Sequence, residues 1–261
     1  MVGMDLLKLI KNFNSSAKDY EKKAIEQKKI AKMLFNIIHK DKKYKKVLEA
    51  GCGTGFLTEL LIKNFNPEFL LLNDISLNML KICIKKFNKN SSLHTYHGDF
   101  LKLKTKKKFD LIVSSMSFQW FKDLKKLFSH SFKLLKENGD LAFSIPINGT
   151  FKELIFSLKR STNRKDIPVL KFPSKEKIKN SLLKSGFKIL SIKEKIIKRY
   201  YPSCWSFMKR LKTTGTNFPS SKPLTPLELR DTINYYERFF KTDKGIYATW
   251  QILFVFARRP K

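Results

Sequence analysis

The fold is decided by the stretch VLEAGCGTG at residues 47–55, in which a short apolar run meets an acidic residue and then three glycines at alternate positions. Leucines recur at helical spacing directly after it, at Leu57, Leu60 and Leu61. The predicted order is therefore strand, tight turn and helix. Glycine in such a turn has no Cβ to hold a ligand away from the backbone and can adopt a positive φ. The stretch thus predicts a site for a nucleotide-like cofactor.

A second apolar run, FLLLN at residues 69–73, ends in Asp74. This carboxylate follows the glycine turn at the spacing at which dinucleotide-binding folds place the acid that accepts ribose hydroxyls. The spacing strengthens the cofactor hypothesis, because a glycine triplet alone is a weak signal. The alternative of a glycine turn that holds no ligand stays open at this point.

The glycines follow an acid in the order E-x-G-x-G-x-G from Glu49, and this turn contains no G-x-G-x-x-G. The order resembles motif I of the class I S-adenosylmethionine-dependent methyltransferases, with Asp74 at the motif II position. The resemblance implies a Rossmann-like α/β fold: a seven-stranded, mostly parallel sheet with helices on both faces, an antiparallel last strand, and a helical lid and insert. It also implies S-adenosylmethionine as cofactor, S-adenosylhomocysteine as product, and Glu49 near the methionine part of the cofactor.

Two later segments extend the predicted pocket. A third strand leads into Gly98-Asp99-Phe100, where the carboxylate suits the adenine amine and the ring gives an apolar wall, although Asp99 is also a common turn residue. Met79 is predicted either to contact the adenine or to pack in the core. The predicted cofactor contacts are Glu49, Gly51, Cys52, Gly53, Gly55, Asp74, Ile75, Met79, Gly98, Asp99, Phe100 and Ser115.

Composition bounds the architecture and the location. At 261 residues the chain suits one sizeable core with a cap, and we expect a single methyltransferase domain over residues 1–261. Its predicted parts are a helical lid at 1–44, a cofactor-binding core at 45–147, and substrate-side inserts at 148–173 and 199–242. No apolar run approaches the length of a membrane span and no signal peptide is recognisable, so we expect a cytoplasmic protein without a membrane partner.

The three cysteines, Cys52, Cys83 and Cys204, are widely spaced and form no cluster with histidine. This spacing supports neither a disulfide framework nor a zinc site. We therefore expect reduced, mostly buried thiols and no metal.

The formal charge of +32 raises the possibility of nucleic-acid binding. Nearly all of the cations are lysines, however, whereas arginine is the residue suited to bidentate phosphate and base recognition. The loop at residues 114–121 also lacks the N-P-P-Y and Pro-Cys segments of base methylation. A nucleic-acid partner is therefore not expected. The positive field favours an acidic protein partner, and the alternative is that the abundance of Lys, Asn, Ile and Phe reflects a coding sequence rich in A and T.

Helical spacing predicts an N-terminal pair of helices at residues 5–13 and 20–39. The polar segment between them, residues 13–21, is expected to cover the cofactor, with Tyr20 either over the site or packed on the next helix. Further helices are predicted at 124–135, 174–186 and 225–240, and strands at 141–145, 187–197 and 247–257, the last of them antiparallel.

Residues 200–217 form an insert between the last two strands, rich in aromatic and cationic residues and predicted as a helix that stops at Gly215. This insert, residues 13–21 and residues 115–120 resemble the corresponding segments of the BioC-type malonyl-carrier-protein O-methyltransferases of biotin synthesis. The resemblance implies that the free carboxylate of a malonyl thioester is methylated, on an acidic acyl carrier protein or on coenzyme A. The alternatives are another class I enzyme acting on a small metabolite or RNA, and a non-catalytic basic nucleic-acid-binding protein.

Such a reaction makes modest chemical demands. A carboxylate is ionised at neutral pH, so no general base is needed, and displacement at the sulfonium methyl depends mainly on proximity and alignment. We therefore predict no acid–base catalyst. Arg210 or Lys212 is predicted to hold the acceptor carboxylate with help from Tyr20, Gln119 or Trp120, and the alternative for the two cations is a solvated helix face.

Overall fold

The structure is a computed structural model that describes residues 6–162, 164, 167, 171–214 and 223–261. Its strands are β1 Lys46–Ala50, β2 Phe69–Asp74, β3 Leu93–His97, β4 Phe109–Ser115, β5 Leu135–Pro146, β6 Lys188–Tyr201, β7 Lys241–Thr242 and β8 Gly245–Arg258. Its α-helices are α1 Leu6–Lys23, α2 Ile25–Phe35, α3 Phe56–Phe65, α4 Leu77–Lys86, α5 Leu124–Leu134, α6 Lys152–Ser161, α7 Lys175–Lys184, α8 Cys204–Thr213 and α9 Pro226–Phe240.

The strands form one sheet in the order β3-β2-β1-β4-β5-β8-β6. The pairs from β3 to β5 are parallel, and β8 lies antiparallel between β5 and β6. The predicted seven-stranded, mostly parallel sheet with an antiparallel last strand is thus confirmed. In addition, the two-residue β7 pairs with the start of β8. The order reverses beside β1, so the carboxyl ends of β1, β2 and β4 border the crevice in which open α/β sheets bind ligands.

The two faces of the sheet carry separate apolar cores, because successive side chains of a strand point to opposite faces. In β1, Val47 joins the core under α2, α3, α4, α6, α8 and α9, whereas Leu48 joins the core under α5 and α7. Helices on both faces were predicted, and the alternation of apolar side chains along each buried strand explains them.

Several predicted helix starts are confirmed by their caps. The hydroxyls of Ser76 and Ser174 accept from backbone amides in the first turns of α4 and α7. Thr225 forms the predicted capping box with Glu228, and Pro226 occupies the first position of α9. Ser203 forms a second capping box at the start of α8, within the predicted insert. The predicted stop at Gly215 lies outside the described residues.

The N-terminal prediction was wrong at its centre. Residues 13–21 are not a connection between helices, because α1 runs without a break from Leu6 to Lys23 and the chain turns only at Ala24. The hydroxyls of Ser15 and Ser16 donate to carbonyls one turn earlier, which keeps these polar residues within the helix.

The prediction for β5 was also too short. Residues 135–140, assigned to the end of a helix and a turn, already belong to the strand, and Asn138 adopts a left-handed φ of 58° within it. The register between β4 and β5 shifts in the same region, between Phe109 and Leu111. An irregular stretch of β5 therefore lies where the sequence predicts the connection between the helix at 124–135 and the strand at 141–145.

All three cysteines are buried and free, as predicted. Within the described ranges, no group of three or more His, Cys, Asp or Glu side chains is arranged to hold a metal ion. None of the helices in these ranges is both long and apolar enough to span a bilayer.

Candidate cofactor and acceptor site

The glycine turn after β1 is tied to the end of β2 by backbone hydrogen bonds. The amides of Gly51 and Cys52 both donate to the carbonyl of Asn73, at 2.8 and 2.9 Å. The amide of Gly53 donates to Oδ2 of Asp74 at 2.8 Å. The two sequence signals, the glycine turn and the acid after the second strand, therefore meet at one point of the sheet edge.

The three glycines of the turn have different neighbours. A Cβ on Gly53, which has a φ of +56°, would meet nothing within 4 Å and would project into open space. A Cβ on Gly51 would lie 2.3 Å from Oγ of Ser117. A Cβ on Gly55 would lie 2.7 Å from the ring of Phe87. Only Gly53 keeps space open for a ligand, whereas the other two allow the loop after β4 and the end of α4 to pack against the turn.

The open space belongs to a cavity of about 750 Å³, which we call the first cavity. Nine of the predicted cofactor contacts line it: Gly51, Gly53, Asp74, Ile75, Met79, Gly98, Asp99, Phe100 and Ser115. They come from the carboxyl ends of four neighbouring strands and from α4, which explains how distant segments reach one cavity.

Two carboxylates lie in the wall of the first cavity. Asp74 is only 8% exposed, and its Oδ1 accepts from the amide of Ser76 at 2.8 Å. Burial raises the pKa of Asp74, against the opposing effect of the backbone amides that it accepts from. Asp99 accepts from the amide of Leu101 at 3.0 Å through Oδ1. Both acids are thus fixed in orientation by the main chain around them.

Three of the predicted contacts do not line the cavity. Glu49 is 1% exposed, and its carboxylate accepts from the hydroxyl of Thr58 on α3 at 2.6 Å. Burial holds the pKa of Glu49 well above its usual value. Cys52 is buried under the turn, and Gly55 starts α3 against α4. These three residues support the turn from the side away from the cavity. Successive side chains of β1 point to opposite faces of the sheet, so they cannot all reach the cavity.

Helix α1 closes the first cavity from above with Leu9, Phe13 and Tyr20. These three residues recur at the spacing of one helix face. The spacing can be recognised in the sequence once residues 6–23 are taken as one continuous helix. Burial raises the pKa of Tyr20 well above its usual value, so its hydroxyl stays protonated and can donate. The ring of Tyr20 stacks on Phe56 with centroids 6.0 Å apart.

Both halves of α1 are fastened to the core. Oδ1 of Asn14 accepts from the hydroxyl of Ser76 at 2.7 Å and from the amide of Asn78 at 3.1 Å. About two turns later, Glu21 forms an ion pair with Lys86 at 2.5 Å. Residues 13–21 were predicted to cover the cofactor site, and in the structure Phe13 and Tyr20 of this pinned helix line the first cavity.

A second cavity of about 390 Å³ adjoins the first. The two cavities share the walls Phe13, Tyr20, Met116 and Trp120. The remaining lining residues of the second cavity are Gln27, Gln119, Pro146, Phe151, Phe172, Thr214 and Trp250. None of these described residues carries a charge, so the second cavity is an apolar chamber with a few neutral polar groups.

Two amides in the second cavity have unused acceptors. Nε2 of Gln119 donates to the carbonyl of Met116 at 2.7 Å, which fixes the side chain. Its Oε1 is buried without a partner, as is Oε1 of Gln27. A buried polar atom without a partner is costly, so each of these oxygens is available to accept a hydrogen bond from a donor that enters the chamber. Three predicted positioning residues, Tyr20, Gln119 and Trp120, are thereby brought together.

The structure does not bring Arg210 and Lys212 to either cavity. Nη1 of Arg210 donates to the carbonyl of Lys23 at 2.9 Å, so this cation joins α8 to the end of α1. Lys212 is exposed on a different face of α8. Neither cation lines either cavity, so the prediction that one of them holds the acceptor carboxylate gains no support from their positions. The direction of a side chain on the insert depends on packing against a helix far away in sequence.

Comparison with known proteins agrees with this geometry. The sequence model of a family described as "Methyltransferase domain" matches residues 47–139. The chain is 31% identical to the malonyl-[acyl-carrier protein] O-methyltransferase of Priestia megaterium, over 97% of this chain and 97% of that protein. It is also 31% identical to malonyl-[acyl-carrier protein] O-methyltransferase 2 of Ilyobacter polytropus, again over 97% of each chain.

Solved structures show the same fold at low sequence identity. The YcgJ protein of Bacillus subtilis superposes with a TM-score of 0.62 at 12% identity, covering 89% of this chain and 99% of that one. The N-methyltransferase NodS of Bradyrhizobium japonicum, solved with S-adenosyl-L-homocysteine, gives a TM-score of 0.53 at 12% identity and covers 95% of this chain and 100% of that one.

Proposed function

We propose that this chain, which belongs to the family of the malonyl-[acyl-carrier protein] O-methyltransferases, transfers a methyl group from S-adenosylmethionine to the free carboxylate of a malonyl thioester on acyl carrier protein. The observation on which the proposal rests is the pair of adjoining cavities with four shared walls. One cavity offers carboxylates and an open glycine backbone, and the other offers an uncharged chamber. Methylation would neutralise the malonyl carboxylate during biotin biosynthesis, so that fatty-acid enzymes can extend the acyl chain.

S-adenosylmethionine is the cofactor, and the first cavity fits it. The space beside Gly53 that a Cβ would enter is open, and the carboxylates of Asp74 and Asp99 suit ribose hydroxyls and the adenine amine. Met79 and Phe100 offer apolar contacts for the base. When bound, the cofactor supplies an activated methyl on a sulfonium. Asp74, Asp99, Met79 and Phe100 would hold it, together with the backbone at Gly53.

The acceptor side requires orientation more than acid–base chemistry. A malonyl carboxylate is already ionised at neutral pH, so the residues of the second cavity need not remove a proton. Tyr20 can donate its hydroxyl hydrogen, and Gln119 and Trp120 restrict the position of the acyl group. Positioning of this kind can account for a large part of the rate increase.

The uncharged lining of the second cavity has a chemical consequence. The negative charge of the acceptor disappears as the ester forms, so a cation beside it would stabilise the starting state more than the transition state. A chamber with neutral donors avoids this loss. We infer that Arg210 and Lys212 do not contact the reacting carboxylate, in line with their places outside both cavities.

Radiolabelled methyl transfer tests the proposal. The purified chain is given S-adenosylmethionine with malonyl carrier protein, malonyl-CoA, acetyl carrier protein or bulk RNA in parallel. We expect label on the malonyl thioesters and none on the acetyl thioester, which has no free carboxylate. Label on RNA alone, or equal label on acetyl and malonyl carrier protein, would contradict the proposed function.

A further inference from the structure

A third depression lies between α1 and α8, and we call it the α1–α8 groove. Its walls include a set of polar, aromatic and cationic side chains: Ser15, Asp19, Trp205, Met208, Lys209 and Lys212. The four residues from α8 recur at the spacing of one helix face, whereas Cys204, Phe207 and Leu211 on the opposite face are buried in the core. Met208 packs at the margin of that core, whereas Trp205, Lys209 and Lys212 are exposed and are not needed to hold the helix in place.

The groove carries unopposed positive charge. Lys209 and Lys212 are exposed, and neither forms an ion pair with any residue in the part of the chain that the structure describes. Asp19 is the only carboxylate among the lining residues found there, and Lys23 neutralises it at 2.6 Å. Trp205 adds a large apolar surface that is 54% exposed. Exposed aromatic surface rimmed by lysines is typical of a site for an acidic protein surface.

The groove adjoins the acceptor chamber at both helices. On α8, Thr213 lines the groove and Thr214 lines the second cavity. On α1, Asp19 lines the groove and Tyr20 lines the second cavity. A partner seated in the groove would thus place a flexible acyl arm beside the chamber in which the acyl group is expected to react.

We propose that the α1–α8 groove is the docking surface for the acidic face of the acyl carrier protein, with Lys209 and Lys212 as its charged contacts and Trp205 as its apolar contact. This inference rests on the proposed function. The lining favours an acidic protein over RNA, because its cations are lysines without arginine and its exposed aromatic residue stands alone rather than in a stacking series.

Steady-state kinetics of a charge reversal test the proposal. In Lys209→Glu/Lys212→Glu, we expect the KM for malonyl carrier protein to rise about tenfold with little change in kcat, because peripheral charges act mainly on association. The salt dependence of KM should also flatten. Malonyl-N-acetylcysteamine, a thioester without phosphate or protein, should be methylated with unchanged kinetics. Trp205→Ala should raise the KM for malonyl carrier protein in the same assay without changing the salt dependence of that KM.

A matched control lies on the other face of the sheet. Lys177 and Lys179 of α7 are exposed, and Lys177→Glu/Lys179→Glu changes the net charge by the same amount beside the opposite core. The proposed docking surface would be wrong if the KM for malonyl carrier protein rose equally in the groove variant and in this control. It would also be wrong if the groove variant raised KM equally for malonyl carrier protein and for malonyl-N-acetylcysteamine. A groove variant that loses binding to polyuridylate RNA but keeps its KM for malonyl carrier protein would contradict the proposal as well. Failure of the unsubstituted chain to methylate either thioester would instead overturn the proposed function, and this inference with it.

Discussion

At the level of single residues, the glycine turn shows how far a motif predicts its own geometry. The sequence predicted that missing side chains at Gly51, Gly53 and Gly55 let a ligand approach the backbone. The structure assigns that role to Gly53 alone, while Ser117 and Phe87 occupy the space beside the other two. The spacing of the glycines is visible in the sequence, but Ser117 lies 66 positions from Gly51 and Phe87 lies 32 positions from Gly55, so these neighbours could not be predicted from it.

Gly53→Ala should therefore impair cofactor binding more than folding. The added Cβ would enter the open space of the first cavity, and its positive φ adds about 1–2 kcal/mol of backbone strain. We expect the Kd for S-adenosylmethionine to rise at least about tenfold, which corresponds to about 1.4 kcal/mol, as measured by isothermal titration calorimetry.

Gly51→Ala is the comparison for that substitution, since its Cβ would collide with Ser117 at 2.3 Å. We expect this variant to lose more thermal stability in the absence of ligand than Gly53→Ala, which carries the backbone strain without a collision. A Gly53→Ala protein that binds the cofactor with undiminished affinity would show that the ligand does not occupy the space beside this residue.

At the level of elements, α1 departs most from what the sequence predicted. Its middle contains Asn12, Asn14, Ser15 and Ser16, which favour turns and caps when only local preferences are considered. Long-range contacts outweigh that preference: the side chain of Asn14 bonds to α4, and Phe13 and Tyr20 pack over the cavities. Helix propensity is a weak guide where tertiary contacts stabilise the element.

The hydrogen bonds that hold α1 against α4 should control how fast the product dissociates from the first cavity. Asn14→Ala removes the hydrogen bonds to Ser76 and Asn78, each of which contributes about 0.5–1.5 kcal/mol. We expect dissociation of S-adenosylhomocysteine to become roughly tenfold faster, since release requires α1 to move off the first cavity. Stopped-flow fluorescence of Trp120, which lines that cavity, measures the rate.

Asn64→Ala provides the control for this element. Asn64 lies exposed on α3, and its side chain donates to the carbonyl of Leu60 in its own helix and to no other residue among those that the structure describes. Its release rate should match that of the unsubstituted chain. Equal rates for Asn14→Ala and Asn64→Ala would mean that the product leaves without displacement of α1.

At the level of the whole molecule, the sheet was predictable and the insert was not. The apolar run of β2 ends in Asp74 and β3 leads into Asp99, so these two acids at the carboxyl edge could be predicted from the pattern. The mostly parallel sheet was implied by the resemblance to the class I methyltransferases. Arg210 contacts Lys23, 187 positions away along the chain. Contacts of that range are set by the packed fold, and neither composition nor local spacing indicates them.

A buried charge cluster joins distant parts of the fold. Asp140 on β5 is fully buried and accepts from Lys42 at 2.8 Å and Arg258 at 2.7 Å. Asp140→Ala should lower the free energy of unfolding by about 3–5 kcal/mol, because two cations would lose their partner in a partly buried site. Urea denaturation measures the loss.

Glu68→Ala serves as the surface counterpart, since Glu68 pairs with Lys45 at 2.8 Å but is 60% exposed. It should cost less than about 1 kcal/mol. Comparable losses in the two variants would show that the Asp140 cluster contributes no more than an ordinary surface pair.

The different neighbours of the three glycines limit how the turn can be reused in protein engineering. A designer who grafts residues 49–55 onto another α/β scaffold would transfer the spacing without the hydroxyl that abuts Gly51 or the ring that abuts Gly55. The grafted loop would then have voids at two positions and be free to relax away from the shape that admits a ligand. The transplantable unit is the turn together with Ser117 and Phe87.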